Sequence, residues 1–142
     1  MKKTVAIFMV LVTLLGLCGC QNAAASVVEK TIDKLSRQEL SLDMGKALKN
    51  LEEMLMKLPE EEREKLQNLE ILDKLKAEYE KLEAAAIQKM EEQIAQLMVQ
   101  QLSEEQVEAA RKALDKLPEE VREKISNVGV LEEAEKALNQ MP

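Results

Sequence analysis

Leu48, Leu51, Leu55 and Leu58 follow one another at steps of three, four and three, and Met44 precedes them by four. At 3.6 residues per turn these steps bring all five side chains onto one face, whereas a half-buried strand alternates at steps of two. Val28, Ile32 and Leu35 keep the same spacing upstream. Val107, Ala110, Leu114 and Leu117 keep it downstream, and period-two alternation is almost absent. A chain patterned this way folds as packed helices, so the expected class is all-α. Aromatic residues make up only 1% of the 142, which leaves Leu, Ile, Val, Met and Ala to build the core and limits the area any one helix can bury.

Helix ends are marked as well. Ser41 is a good N-cap for the helix carrying the leucine seam, and Ser103 takes the same place downstream. Pro59 stops that helix and is expected at the first position of the next, with Glu60, Glu61 and Glu62 favouring the dipole in its first turn. From Leu72 to about Gln101 the chain has neither Pro nor Gly, so one continuous helix of ~45 Å is expected at 1.5 Å per residue. Leu72, Leu75, Tyr79 and Leu82 form one stripe on it. Ile87, Met90, Ile94 and Leu97 form another, which the Ala84-Ala85-Ala86 run is expected to displace around the helix. A helix shared in this way serves one bundle with each half and makes the pair a stiff rod.

The stretch LPEEEREKLQNLEIL (Leu58–Leu72) returns as LPEEVREKISNVGVL (Leu117–Leu131), with nine of fifteen positions identical. Met90, Ile94 and Leu97 match Val28, Ile32 and Leu35, and the interval from serine cap to proline is three residues shorter in the second copy. Such self-similarity is read as two copies of one supersecondary unit. The expected organisation is a leader at 1–19, a modified cysteine and short tether at 20–26, and three-helix units at 27–84 and 85–142. The expected fold is two tandem three-helix bundles joined by a shared long helix.

Val107–Leu138 carries Ala110-Arg111, Leu117-Pro118, Lys124, Asn127, Leu131, Ala134 and Glu135. In this it resembles a small three-helix module common in surface and cell-wall proteins of Gram-positive bacteria. The first copy is looser: it keeps Leu58-Pro59, Lys65, Asn68 and Leu72 but has Leu75-Lys76 where the pattern has Ala-Glu. The resemblance implies a spacer or interaction unit, not an enzyme.

The N-terminal segment opens with Met1-Lys2-Lys3 and runs uncharged from Thr4 to Leu17. Spanning a bilayer takes ~20 apolar residues, so this shorter run has the shape of a secretion signal. Leu17-Cys18-Gly19-Cys20 resembles the bacterial lipobox, with an aliphatic residue three before the modified cysteine and a small one directly before it. Cys18 does not fit that place, because Leu17 would then be the small residue. The resemblance implies cleavage between Gly19 and Cys20 and a diacylglycerol thioether on the Cys20 sulfur. Acyl chains supply ~0.8 kcal/mol per buried methylene, and two or more chains anchor stably. The expected location is therefore extracytoplasmic, anchored to the cell membrane by lipid on Cys20. The mature chain would keep neither a free thiol nor a disulfide.

The search for reactive groups is mostly negative. The chain has no His, and both cysteines belong to the processing signal, which removes the usual bases, nucleophiles and metal ligands. Ser26, Ser36, Ser41, Ser103 and Ser126 have no imidazole to activate them. The glutamates at 60–62, 91–92 and 104–105 read as solvated helix starts, since neighbours on a helix point to different sides. Met44, Met54, Met56, Met90, Met98 and Met141 remain after processing. Thioethers ligate copper(I), yet Met44 and Met90 lie on the seams, where flexible side chains fill for missing aromatics. Gly45 and Gly129 are isolated, so no glycine-rich phosphate loop exists in the mature chain.

No catalytic, metal-binding or cofactor-binding residue is expected, and no enzyme. With Lys2 and Lys3 in the leader, 18 of the 20 basic side chains remain against 27 acidic ones, a net charge of −9 that disfavours nucleic acid. The expected role is a structural spacer or protein-interaction unit at the cell envelope. The alternative is an adhesin or receptor-type lipoprotein that binds a peptide or host protein on one bundle face.

Overall fold

The computed structural model describes residues 23–99 and 103–140. Helix α1 covers residues 23–36. A 3-10 turn at Leu42–Met44 leads into α2 (Gly45–Lys57), followed by the single-turn α3 (Glu60–Arg63) and the long α4 (Leu69–Val99). The chain continues through α5 (Glu104–Asp115), a second single turn α6 (Glu119–Arg122) and α7 (Val128–Asn139). No strand occurs among the described residues, and the fold is all-α.

The punctuation explains most of the helix starts. Ser103 has the extended backbone of an N-cap, φ −119° and ψ 141°, and its Oγ accepts the Gln106 N–H at 3.3 Å. That satisfies one of the donors a helix start leaves open. Ser41 is equally extended and precedes the 3-10 turn, but its side chain makes no cap bond. Its carbonyl takes the Met44 N–H instead, at 3.1 Å. Pro59 and Pro118 stand at the N-caps of α3 and α6, which puts Pro59 one residue earlier than expected. Their ring fixes φ at −56° and −55°, and each carbonyl accepts from residues three and four further on, at 3.0–3.1 Å. A residue that lacks an N–H gives up nothing there.

The chain divides into two compact units. The first holds residues 23–39 and Lys46–Lys76. Its buried apolar side chains are Val28, Ile32 and Leu35 on α1, Leu48 and Leu51 on α2, Leu58 and Leu66 around α3, and Leu72 and Leu75 on α4. These are the seams read from the spacing with Leu66 added, except that Leu55 is only half-buried and Met44 belongs to the second unit. Each fully buried Leu or Ile stabilises its unit by roughly 1.5–3 kcal/mol.

The second unit holds Leu40–Gly45 and the residues from Ala77 on. Its core joins Met90, Ile94 and Leu97 of α4 to Val107, Ala110 and Leu114 of α5, to Ile125, and to Leu131 and Ala134 of α7. Leu117, Val128 and Leu138 pack half-buried against it. The division falls within α4 after Lys76, and Ala84, where the spacing suggests a boundary, lies inside the second unit.

Helix α4 runs unbroken through Ala84-Ala85-Ala86 for 31 residues, about 46 Å. Its buried side chains are Leu72, Leu75, Tyr79, Met90, Ile94 and Leu97. Tyr79 and Met90 are eleven residues apart, close to three full turns, so the buried stripe of this helix keeps its face. The displacement expected from Ile87 is not there: Ile87 and Leu82 are half-buried at the edges of that stripe.

Candidate interaction surfaces and interhelical polar contacts

In the second unit the turn before α7 is tied to α4 by Glu91. Its Oε1 accepts the Ser126 hydroxyl at 2.6 Å and the Ser126 backbone N–H at 2.9 Å, while Asn127 Nδ2 donates to the Glu91 carbonyl at 2.9 Å. The Ser126 hydroxyl, and then its N–H, hold the Glu91 carboxyl below the usual range, because both bonds favour the charged form. Asn127 occupies the N-cap of α7 but makes no cap bond with its side chain. The amide is spent between elements instead.

In the first unit, Asn68 Nδ2 donates to the Glu29 carbonyl and to Asp33 Oδ1, both at 2.9 Å. The Gln67 N–H reaches Glu29 Oε1 at 3.3 Å. Asn68 is buried, as such a donor must be to hold a turn against a helix without water competing. Both asparagines are legible in the sequence as turn residues. Their acceptors, Glu29 and Glu91, are not, because they lie on distant helices.

Charged pairs join further helices. Arg111 of α5 grips Glu135 of α7 as a fork, Nε to Oε1 at 2.6 Å and Nη2 to Oε2 at 2.7 Å. The hydrogen bond from Arg111 holds the Glu135 carboxyl below the usual range, and the same contact raises the guanidinium. In the first unit, Glu52 of α2 pairs with Lys76 of α4. Glu52 and Arg111 each stand seven residues before a proline, and Lys76 and Glu135 each stand seventeen after it. The two pairs are placed alike and run in opposite polarity. Lys76, a departure from the Ala-Glu pattern in the sequence, is thus the partner of Glu52. The signal that would have found it is the complementary change at both positions.

Tyr79 is buried, and its hydroxyl donates to the Leu42 carbonyl at 3.3 Å. A Cβ at Gly45 would run into that hydroxyl and ring. Gly45 has ordinary helical φ of −52°, so close approach, not backbone freedom, explains the glycine. Burial, and then Glu83, Glu120 and Asp43, push the Tyr79 phenol above its ordinary value.

Gly19 and Cys20, the expected cleavage and lipidation sites, lie outside the described residues, as does Met141. Ser36 donates to the Asp33 carbonyl at 2.9 Å, and Ser26 is half-buried on α1. Glu60 and Glu61 are exposed, but Glu62 is not a solvated helix start. Its side chain is 13% exposed and pairs with Lys65 at 3.2 Å. Three residues after the other proline, the same place holds the fully buried Val121. Met44 and Met90 are buried, while Met56 and Met98 are exposed.

Among the described residues no group of three or more Asp and Glu is placed to hold a metal ion, and no helix is long and apolar enough to cross a membrane. The large exposed apolar side chains are Val27, Met56, Ile71 and Met98. An open groove of about 510 Å³ runs between α5 and α7, lined by Val107, Arg111, Lys112, Glu135 and Leu138 among others. Comparison with protein-family models, curated proteins and solved structures finds no match, so the functional reading rests on the residues of this chain alone.

Proposed function

We propose that this chain is a lipid-anchored extracytoplasmic helical module, a structural spacer or protein-interaction unit at the cell envelope. The observation that carries the reading is Leu17-Cys18-Gly19-Cys20 at the end of an uncharged run that follows two lysines. Processing there leaves Cys20 as the lipidated first residue, three residues before α1 is described. In this reading 27–84 and 85–142 are two tandem three-helix bundles sharing α4, which makes the module a spacer with a helix common to both. Two sets of contacts support the tandem arrangement. The Asn68–Glu29 and Asn127–Glu91 clasps use like residues, and the Glu52–Lys76 and Arg111–Glu135 pairs stand at like distances from their prolines. The engagement of these polar groups with one another supports a structural role over catalysis. Fractionating cells that express the parent and Cys20→Ser tests the anchor: the parent is expected to take up labelled fatty acid in the membrane fraction, and the variant to take up none. An unlabelled parent contradicts the proposal.

The α5–α7 groove favours a second reading, in which one bundle face receives a peptide or host protein. Capture of one partner by the parent and its loss with the exposed substitution Lys112→Glu would support that reading. Equal capture by both chains would count against it.

A further inference from the structure

We propose that the outer face of α1 is a docking surface for an anionic lipid bilayer, an inference that rests on the anchor at Cys20. Val28, Ile32 and Leu35 turn one side of α1 into the core. Lys30, Lys34 and Arg37 follow at steps of four and three on the other side, all exposed, with the half-exposed Val27 on the same side. With Asp33 and Gln38 the three cations line an open shelf of about 440 Å³.

Of the two carboxylates of α1, Asp33 lies on this shelf and Glu29 does not line it, which leaves the shelf three cations against one anion. Glu29 accepts from the Gln67 N–H, and Asp33 accepts from Asn68 with one oxygen. The ion pairs among the described residues lie elsewhere: Lys65, Lys76, Arg111, Lys112 and Lys124 supply their cations. Without the leader the chain carries −9 and is repelled by an anionic surface, but the Debye length is only ~8 Å at physiological salt, so the charges on the contacting face decide. Cys20 stands three positions before the start of the described α1, a reach of about 10 Å, so an anchor there keeps this helix close to the bilayer. Each cation at such a surface is worth roughly five-fold in partition, and three are worth about a hundred-fold.

The test is amine labelling of the full-length lipid-anchored chain in vesicles of phosphatidylcholine, with or without phosphatidylglycerol. Lys30 and Lys34 are expected to label several-fold more slowly in the anionic vesicles, measured against Lys136 of the same molecules. The protection is expected to vanish at 1 M salt and to weaken with Arg37→Gln. Equal labelling in the two lipids, or protection that survives high salt, would overturn the proposal. The mass at Cys20 in the same samples reports separately on the anchor.

The opposed polarity of the two ion pairs carries a second and independent inference. We infer that charge order selects the partner of each helix, which rests on reading the two units as copies of one another. Repeated units are prone to misassembly and domain swapping. If α5 packed on α4 in the place of α2, Arg111 would oppose Lys76; if α2 packed on α7, Glu52 would oppose Glu135. Two attractive contacts would become two repulsive ones, and rejecting the wrong partner is often the cheaper route to specificity.

The variant Glu52→Arg with Lys76→Glu gives both units the same polarity while keeping the pair. Full-length chain in mild detergent is expected to keep its melting point but to refold from urea with several-fold more dimer and higher species, rising with concentration. Adding Arg111→Glu and Glu135→Arg restores opposite polarity and is expected to restore monomeric refolding. Parent-like refolding of the first variant would overturn the role of polarity alone. A lowered melting point in it would overturn the inference at its base, the equivalence of the two pairs.

Discussion

At Gly45 the chain accepts a helix-weakening residue because the ring and hydroxyl of Tyr79 occupy the space a Cβ would need. Alanine favours a helix over glycine by ~1 kcal/mol, yet Gly45→Ala is expected to destabilise by about 1–3 kcal/mol, since neither the ring nor the Leu42 carbonyl it reaches moves freely. A thermal melt checks it, and a raised melting point would refute the contact. Leu114, 3% exposed in the core of the second unit, gives the complementary case of lost volume. Leu114→Ala is expected to cost ~2–5 kcal/mol, while the exposed Glu119→Gln changes little; equal urea midpoints for the two would contradict the core assignment. Leu114 was legible in the sequence because helical periodicity is a local signal. Gly45 was not, since its constraint arrives from a residue thirty-four positions away.

Among the elements, the two single-turn helices show how much a repeat can reveal when its copies differ. Both start on a proline whose missing N–H suits a helix start, and that much is written in the Leu-Pro-Glu-Glu strings. What the strings conceal is that the third residue after each proline faces inward. In α6 it is Val121, fully buried; in α3 it is Glu62, which pairs with Lys65 and has little exposure. A carboxylate withdrawn from water is costly, and replacing such a group with an apolar one is often neutral or stabilising. Glu62→Val is accordingly expected to raise stability by about 1 kcal/mol in urea unfolding, and a loss of that size would contradict the comparison with Val121. The extent of α4 was legible from its lack of Pro and Gly. The displacement expected between its two stripes rested on counting Leu82 and Ile87 as full members, and both are only half-buried at the edges of one stripe.

For the molecule as a whole, interhelical polar contacts make stability depend on pH in a defined direction. Glu91 and Glu135 sit below the ordinary carboxyl value of 4.5, held there by hydrogen bonds from Ser126 and Arg111. Their contribution is present above that pH and is lost as pH falls through the lower folded-state values. Urea unfolding of Glu91→Gln with Glu135→Gln is therefore expected to show lower stability at pH 7 and a shallower loss in acid than the parent; parallel curves would count against both contacts. These partners were invisible in the sequence because each contact joins distant positions, while the processing signal proposed at Leu17–Cys20 is a contiguous string. That signal carries the central claim, and the mass of the N-terminal peptide from the membrane fraction tests it most directly. The account predicts a chain beginning at Cys20 with a diacylglycerol adduct on its sulfur, and a Cys20→Ser chain that keeps residues 1–19. An unmodified Cys20 behind an intact leader would contradict it.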